Sequence, residues 1–196
     1  MVRRVFVIAL AAIFLGQAAQ AQLSQPPRKK IIAWRSPSLE YVQQHPEKVA
    51  ECPLDGVMIP VALEVGGQRI SLTDGVFANQ ALDYGDFAAK AAEIKSTEFG
   101  NLTDNFLLVD IVPGDIDWFG DCAAFLHNGG IAARFAREAG LKGIVLDCEP
   151  YGFKPWDYRT VAHPERSFEE YYRQIRLRGE GFARAMWHEW PELKLL

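Results

Sequence analysis

Apolar and polar positions along the chain alternate between strand-like and helix-like stretches. Short continuous apolar runs are typical of buried strands, and apolar residues that recur every three or four positions predict amphipathic helices. The predicted strands cover residues 30–34, 55–61, 105–112, 143–149 and 193–196. The predicted helices cover residues 37–51, 84–97, 121–140 and 167–189.

Proline, serine and glycine refine these boundaries. Ser36 is expected to cap the first helix, with Pro37 at its first position, and Pro46 is expected to shorten or kink that helix. Residues 62–82 make a longer excursion that contains Gly66-Gly67 and predicts a small hairpin.

Repeated strand–helix units predict an α/β fold, because such strands pair in parallel through right-handed crossovers. Two architectures compete, a parallel (β/α)8 barrel of the TIM type and a doubly wound open sheet. No glycine-rich phosphate loop follows the first strand, where a nucleotide-binding open sheet would place it, so the barrel is favoured. A full barrel takes about 250 residues. We therefore expect residues 30–196 to be the N-terminal half of a barrel catalytic domain.

The first residues have the pattern of a secretory signal peptide. Residues 1–21 combine Arg3 and Arg4, an apolar run, and Ala19-Gln20-Ala21 as a cleavage site. The apolar run is shorter than the roughly 20 residues that span a bilayer, although an uncleaved N-terminal anchor is the alternative. We expect a secreted or periplasmic protein with a flexible lead-in over residues 22–29 and no membrane association after signal removal.

Charge and cysteine usage argue against other classes of protein. Without the two signal arginines the chain has 19 basic and 25 acidic residues, a net charge of −6, which lacks the basic footprint of a nucleic-acid binder. Cys52, Cys122 and Cys148 fit neither a disulfide framework nor a zinc motif. One pair could form a bridge, or Cys148 could be a buried free thiol. No metal or other cofactor is expected.

The segment from Gly143 to Tyr151 carries the clearest candidate chemistry. Its apolar run ends in Asp147 and Glu149, and the alternation of side chains along a strand directs both acids to the same side. Carboxylates are costly in the middle of a buried strand, but at the C-terminal end of a barrel strand they lie at the mouth, where such folds carry out their chemistry. Asp110 ends the preceding predicted strand in the same way.

Aromatic residues lie at the ends of the predicted strands or in the loops that follow them. They are Trp34, Trp118, Tyr151 and Trp156. Flat rings can stack on the apolar faces of sugars, and ordinary packing under loops is the alternative for each ring. His127 and Asn128 could face solvent, and the remaining histidines show no metal-ligand spacing.

Two stretches resemble exported bacterial barrels that are assigned to the glycoside hydrolases. The first contains Trp34, Pro37 and Leu39, followed by Leu54-Asp55-Gly56-Val57. The second runs from residue 132 to residue 144 and leads into Asp147-Cys148-Glu149-Pro150-Tyr151.

The strand over residues 143–149 is also similar to a motif of the chitinase and endo-N-acetylglucosaminidase family. That family's strand ends in the pattern Asp-x-x-Asp-x-Asp-x-Glu. Asp147 and Glu149 match the last two acids, whereas Val145 stands where the family has its middle Asp.

The resemblance implies a secreted glycoside hydrolase that cleaves a poly- or oligosaccharide. Glu149 is then the general acid that protonates the leaving oxygen, and Asp147 is either the second carboxylate or the residue that orients an N-acetyl group of the substrate. The residues expected to bind the substrate are Trp34, Asp110, Trp118, Tyr151 and Trp156.

The sequence leaves three alternatives open. The two acids could cap helices or bind a structural cation. The chain could be a non-catalytic carbohydrate-binding relative, in which the acids only accept hydrogen bonds from hydroxyls. It could also be a metal-dependent barrel hydrolase with Asp110, Asp147 and Glu149 around a divalent ion.

Overall fold

The computed structural model describes residues 29–33, 37–112, 116–149 and 156–196. The predicted signal peptide and nearly all of the lead-in lie outside these ranges. Residues Ile31–Leu196 form one compact unit. None of its described helices is both long enough and apolar enough to cross a bilayer.

Strands and helices alternate along this unit. The strands are β1 (Ile32–Ala33), β2 (Gly56–Ile59), β3 (Ala62–Val65), β4 (Gln68–Ser71), β5 (Phe106–Asp110), β6 (Gly143–Asp147) and β7 (Lys194–Leu195). The α-helices are α1 (Leu39–Gln44), α2 (Pro46–Ala50), α3 (Tyr84–Ser96), α4 (Ala123–Glu138) and α5 (Phe168–Glu189), and a 3-10 turn covers Tyr158–Thr160. Every predicted strand and helix contains an observed element of the same type.

Five of the strands form a parallel sheet in the order β1-β2-β5-β6-β7. This order follows the chain, and β3 and β4 pair separately as an antiparallel hairpin. The α/β class and the parallel sheet predicted from the sequence are therefore confirmed. Within the described residues the sheet is open, with β1 and β7 at its edges.

The two faces of the sheet bury different sets of side chains, because alternate residues of a strand point to opposite faces. One face, here called the helix face, packs against the helices through Val57, Ile59, Leu107, Val109 and Ile144. The other, here called the second face, has a smaller cluster that consists of strand residues alone, namely Ile32, Met58, Phe106, Leu108 and Val145.

Helices α4 and α5 pack closely on the helix face. The rings of Phe125 and Phe182 stack with centroids 4.7 Å apart and planes 2° apart. Gly129 of α4 leaves the space for this contact, since a Cβ atom there would lie 2.5 Å from the ring of Phe182. A close approach of the two helices therefore depends on the absence of a side chain at residue 129.

Asn128 holds the segment between β4 and α3 against α4. Its side chain is fully buried, its Oδ1 accepts the N–H of Leu82 at 2.8 Å, and its Nδ2 donates to the carbonyl oxygen of Gln80 at 2.9 Å. A buried amide that satisfies main-chain groups in this way contributes to stability. The suggestion that Asn128 faces solvent is wrong.

The predicted hairpin is present. Val65 pairs with Gln68, so the turn consists of Gly66 and Gly67. Their φ angles are 59° and 80°, the left-handed backbone that a tight two-residue hairpin turn requires and that glycine adopts at no steric cost.

The predicted first helix is two helices. Pro46, which has no N–H to donate, begins α2 and separates it from α1. The expected start at Pro37 is wrong, since α1 begins at Leu39 and its cap is Ser38, whose Oγ accepts the N–H of Tyr41 at 3.1 Å. Ser36 lies outside the described residues. In α5, Phe168 is 61% exposed, because it lies at the first turn of the helix.

Two glycines within helices should respond to alanine in opposite ways. Gly129→Ala places a Cβ against the buried Phe182 ring, and we expect it to lower the free energy of unfolding by about 1–3 kcal/mol. Gly179→Ala meets no atom within 4 Å, and we expect it to raise that free energy by up to about 1 kcal/mol, the helix-propensity gain. Urea denaturation of both variants tests this, and equal effects of the same sign would contradict the packing described.

Candidate active site

Two aspartates end neighbouring strands at the carboxyl edge of the sheet. Asp110 is the last residue of β5 and Asp147 the last residue of β6. The parallel register places them opposite each other, and adjacent strands lie about 4.8 Å apart. Both belong to the second face, since each follows a residue of its cluster, Leu108 or Val145, by two positions. The fold therefore brings these two predicted site residues together.

Asp147 also shapes the backbone at this edge. It is 7% exposed, and its Oδ1 accepts the N–H of Glu149 at 3.0 Å. Its carbonyl oxygen accepts the N–H of Ile111 at 2.6 Å. The first of these bonds closes a turn of the kind that aspartate side chains make with the backbone two residues further on. The carboxylate of Asp147 is thus held in place where β6 ends.

The segment that follows the hairpin reaches the same edge. The N–H of Asp110 donates to the carbonyl oxygen of Thr73 at 2.6 Å. Thr73 is fixed in turn, because its Oγ1 accepts the N–H of Val61 at 2.8 Å. The hydroxyl of Ser71 adds a bond to the carbonyl oxygen of Val61 at 3.1 Å. Asp110 therefore lies between this buried segment and β6, with its Oδ1 atom buried from solvent.

Glu149 lies in the loop beyond β6. The predicted strand continues to residue 149, but β6 ends at Asp147 because the turn at Asp147 carries the chain out of the sheet. Glu149 is exposed while Asp147 is buried. Cys148 between them is an exposed free thiol, so the suggestion that it is buried is wrong, and Cys52 and Cys122 are free as well.

Trp118 and Trp156 form a stacked pair. Their ring centroids are 6.2 Å apart and their planes differ by 28°. Trp118 follows β5 and is buried, whereas Trp156 follows β6 and is 41% exposed. Trp118 also meets the edge of Phe125 in α4 at 6.3 Å. The structure therefore brings these two predicted binding residues together, with one ring fixed in the core and the other partly open to solvent.

The tryptophan pair lies on the helix face, away from the acids. Cavities of about 340 and 240 Å³ adjoin it. The smaller is lined by Ile111 and Leu146, each of which neighbours one aspartate in sequence and so points to the opposite face of the sheet. The larger lies between residues 156–161 and the first half of α5. The sequence predicts that the acids and the aromatic rings lie together at the mouth of a barrel. In the described residues they instead form two separate groups on opposite faces of the sheet.

A histidine–aspartate pair joins the loops that follow β5 and β6. The Nε2 of His163 is 3.0 Å from Oδ1 of Asp117, and its Nδ1 is 3.4 Å from Oε1 of Glu165. The hydrogen bond from His163, followed by that from the N–H of Phe119, lowers the pKa of Asp117. Sequence reasoning missed this pair because the partners lie 46 residues apart and share no motif; only the placement of both after neighbouring strands could have suggested it.

Trp34 and Tyr151 lie outside the described residues. Among the described His, Cys, Asp and Glu residues, no group of three or more is arranged to hold a metal ion. The arrangement of Asp110, Asp147 and Glu149 therefore adds nothing in favour of a divalent-ion site.

Comparisons of the chain with models of known families, with curated proteins and with solved structures gave no match. The site is therefore interpreted from its own geometry. That geometry consists of two in-register aspartates at a carboxyl edge, an exposed glutamate tied to one of them, and aromatic rings on the other face.

Two substitutions of Asp147 separate the role of its side chain as a hydrogen-bond acceptor from the role of its charge. In Asp147→Asn the Oδ1 acceptor for the N–H of Glu149 remains, and we expect the free energy of unfolding to stay within about 0.5 kcal/mol of the wild type. In Asp147→Ala the acceptor is lost, and we expect a decrease of about 1–2 kcal/mol. Thermal and urea unfolding measure both, with Cys148→Ser as the control for a change in the same loop. An alanine variant as stable as the wild type would contradict the structural role.

Proposed function

We propose that the chain is part of a secreted glycoside hydrolase in which the carboxyl edge of the parallel sheet holds the reacting acids. The observation that carries the proposal is the in-register pair of Asp110 and Asp147, with Glu149 attached to Asp147 through the turn. Paired carboxylates are the groups that cleavage of a glycosidic bond requires. The signal-like residues 1–21 support export.

We further propose that the parallel sheet belongs to a (β/α)8 barrel and not to a doubly wound sheet. In a doubly wound sheet the strand order reverses at a switch point and helices cover both faces. Here the strand order follows the chain, and right-handed crossovers in one direction place all crossover helices on one face. Among the described residues, the cluster of large apolar side chains on the second face contains strand residues and no helix residue. Inward-facing side chains of this type fill the interior of a (β/α)8 barrel.

The roles of the acids follow from their surroundings. Glu149 is exposed at the edge, where it can exchange protons with solvent and reach a leaving oxygen, so it is the proposed general acid. Asp147 is held by its turn, so it is the proposed nucleophile, base or orienting group for an N-acetyl substituent. Asp110 lies beside it and is proposed to accept hydrogen bonds from sugar hydroxyls.

One observation favours the second candidate, a carbohydrate-binding protein without catalysis. Trp118 and Trp156 form a partly exposed stacked pair, and such rings suit the apolar face of a sugar. The pair lies on the helix face beside a cavity of about 340 Å³, so binding there would be independent of the acids. Cleavage activity is what separates the two candidates.

The catalytic proposal is tested by release of reducing ends from a panel of poly- and oligosaccharides. We expect Glu149→Gln and Asp147→Asn to lower kcat by about 10²–10⁴-fold, the usual contribution of a positioned acid or base. Glu149→Gln should keep its affinity for the same saccharide, measured by calorimetry, because the amide preserves shape and hydrogen bonding. Cys148→Ser is the matched control from the same loop and should keep full activity.

Full activity of Glu149→Gln would contradict the assignment of the general acid. Saccharide binding without cleavage, unchanged in both acid variants and lost in Trp156→Ala, would favour the binding protein instead.

A further inference from the structure

The cavity of about 240 Å³ beside the tryptophan pair is here called the core cavity. It lies between α5 and the carboxyl ends of β5 and β6, where Ile111 and Leu146 line it. From α5 it is lined by Gly179, Ala183 and Met186, among others. Its described lining contains aliphatic and aromatic side chains, a thioether and a glycine, and no charged group.

Small residues of α5 leave this space. A Cβ atom at Gly179 would meet no atom within 4 Å, and Ala183, one turn further along, adds only a methyl group. Protein cores otherwise contain few voids larger than a water molecule. An apolar cavity of about 150 Å³ is already enough to bind benzene. The core cavity therefore has room for a small ring compound.

Aromatic rings form one wall of the core cavity. Phe125 and Phe182 are stacked at 4.7 Å, and the ring of Phe77 lies 4.6 Å from the first and 5.1 Å from the second. Trp118 meets Phe125 edge-on. Aromatic pairs in offset-stacked or edge-to-face arrangements gain energy beyond the area that they bury. A flat aromatic ligand gains this energy against such a wall, whereas a saturated ring of the same size does not.

The cavity of about 340 Å³, here called the outer cavity, adjoins the core cavity. Trp118, Trp156 and Ile175 line both. The outer cavity is also lined by Phe168 and Tyr172, which are 61% and 54% exposed. Exposed apolar surface that is concentrated at one place is typical of a binding site. The outer cavity therefore provides an apolar approach to the core cavity.

The polar groups of the outer cavity already have partners in the protein. The carboxylate of Asp157 accepts hydrogen bonds from Arg159 at 2.9 and 2.6 Å, and Arg176 is 3.3 Å from Glu180. The hydroxyl of Tyr171 accepts a main-chain N–H at 2.9 Å. A saccharide needs partners for its many hydroxyls, and a charged ligand would lose its hydration in the core cavity. The site therefore favours a neutral ligand with few polar groups.

We propose that the core and outer cavities together bind a neutral compound of fused aromatic rings. One ring lies against the phenylalanine cluster, and the rest of the molecule lies between Trp156 and α5. This site is on the helix face and uses none of the acids of the second face. Its failure would leave the proposed saccharide cleavage untouched, and its test needs no turnover.

Calorimetry of the full chain compares two probes of the same carbon skeleton, 2-naphthol and its saturated form decahydro-2-naphthol. We expect 2-naphthol to bind about two- to tenfold more tightly, which is the effect of the ring–ring contacts alone. Cellobiose, added as a competitor, should leave the binding of 2-naphthol unchanged. In heteronuclear NMR, 2-naphthol should shift the indole N–H signals of Trp118 and Trp156 and leave that of Trp187 in place.

Two leucine substitutions in α5 locate the site. Gly179→Leu fills part of the core cavity, and we expect it to weaken the binding of 2-naphthol by at least about fivefold. Arg173→Leu places the same side chain at a position that is 68% exposed and lines neither cavity, and it should keep the wild-type affinity.

Four results would overturn the proposal: no binding of 2-naphthol, equal or tighter binding of decahydro-2-naphthol, competition by cellobiose, or wild-type affinity in Gly179→Leu. If Gly179→Leu fails to fold, the comparison of the two probes and the tryptophan signals of the wild-type chain decide the question.

Discussion

The rest of this structure depends on one constraint. Side chains alternate between the two faces of a parallel sheet, and helices cover one of those faces. Crossovers of one hand and a strand order that follows the chain place α3, α4 and α5 on the helix face. Residues one position apart then meet different surroundings. Ile111 and Leu146 join the apolar core beside the helices, while Asp110 and Asp147 belong to the second face.

The same constraint divides the candidate site into two groups. The acids lie at the carboxyl edge of the second face, where Asp147 serves both as a turn-forming acceptor and as the proposed reacting group. The aromatic rings lie on the helix face, between loops that pack on α5. A substrate at the acids and a molecule in the cavity beside the aromatic rings would therefore lie on opposite sides of the sheet.

Much of the fold could be predicted from the sequence, because strand and helix periodicities and the hairpin glycines are local signals. The α/β class and the parallel sheet follow from these signals. The cap at Ser38, the burial of Asn128 and the exposure of Phe168 could not be predicted, since each depends on neighbours distant in sequence or on where a helix begins. Asp110 and Asp147 were both predicted as site residues, although the predicted strands continue past them to residues 112 and 149, and their in-register pairing follows from the neighbouring positions of β5 and β6. The His163–Asp117 pair was not, because it arises only when two loops meet.

The central claim is that a saccharide meets the acids at the carboxyl edge of the second face. It is tested most directly by heteronuclear NMR of the full chain titrated with a mixture of chito- and cello-oligosaccharides. The expected result is chemical-shift change concentrated at the amides of Asp110, Asp147 and Glu149. Change confined to Trp118, Trp156 and the first half of α5, with the acids unaffected, would contradict the claim and place any sugar on the helix face.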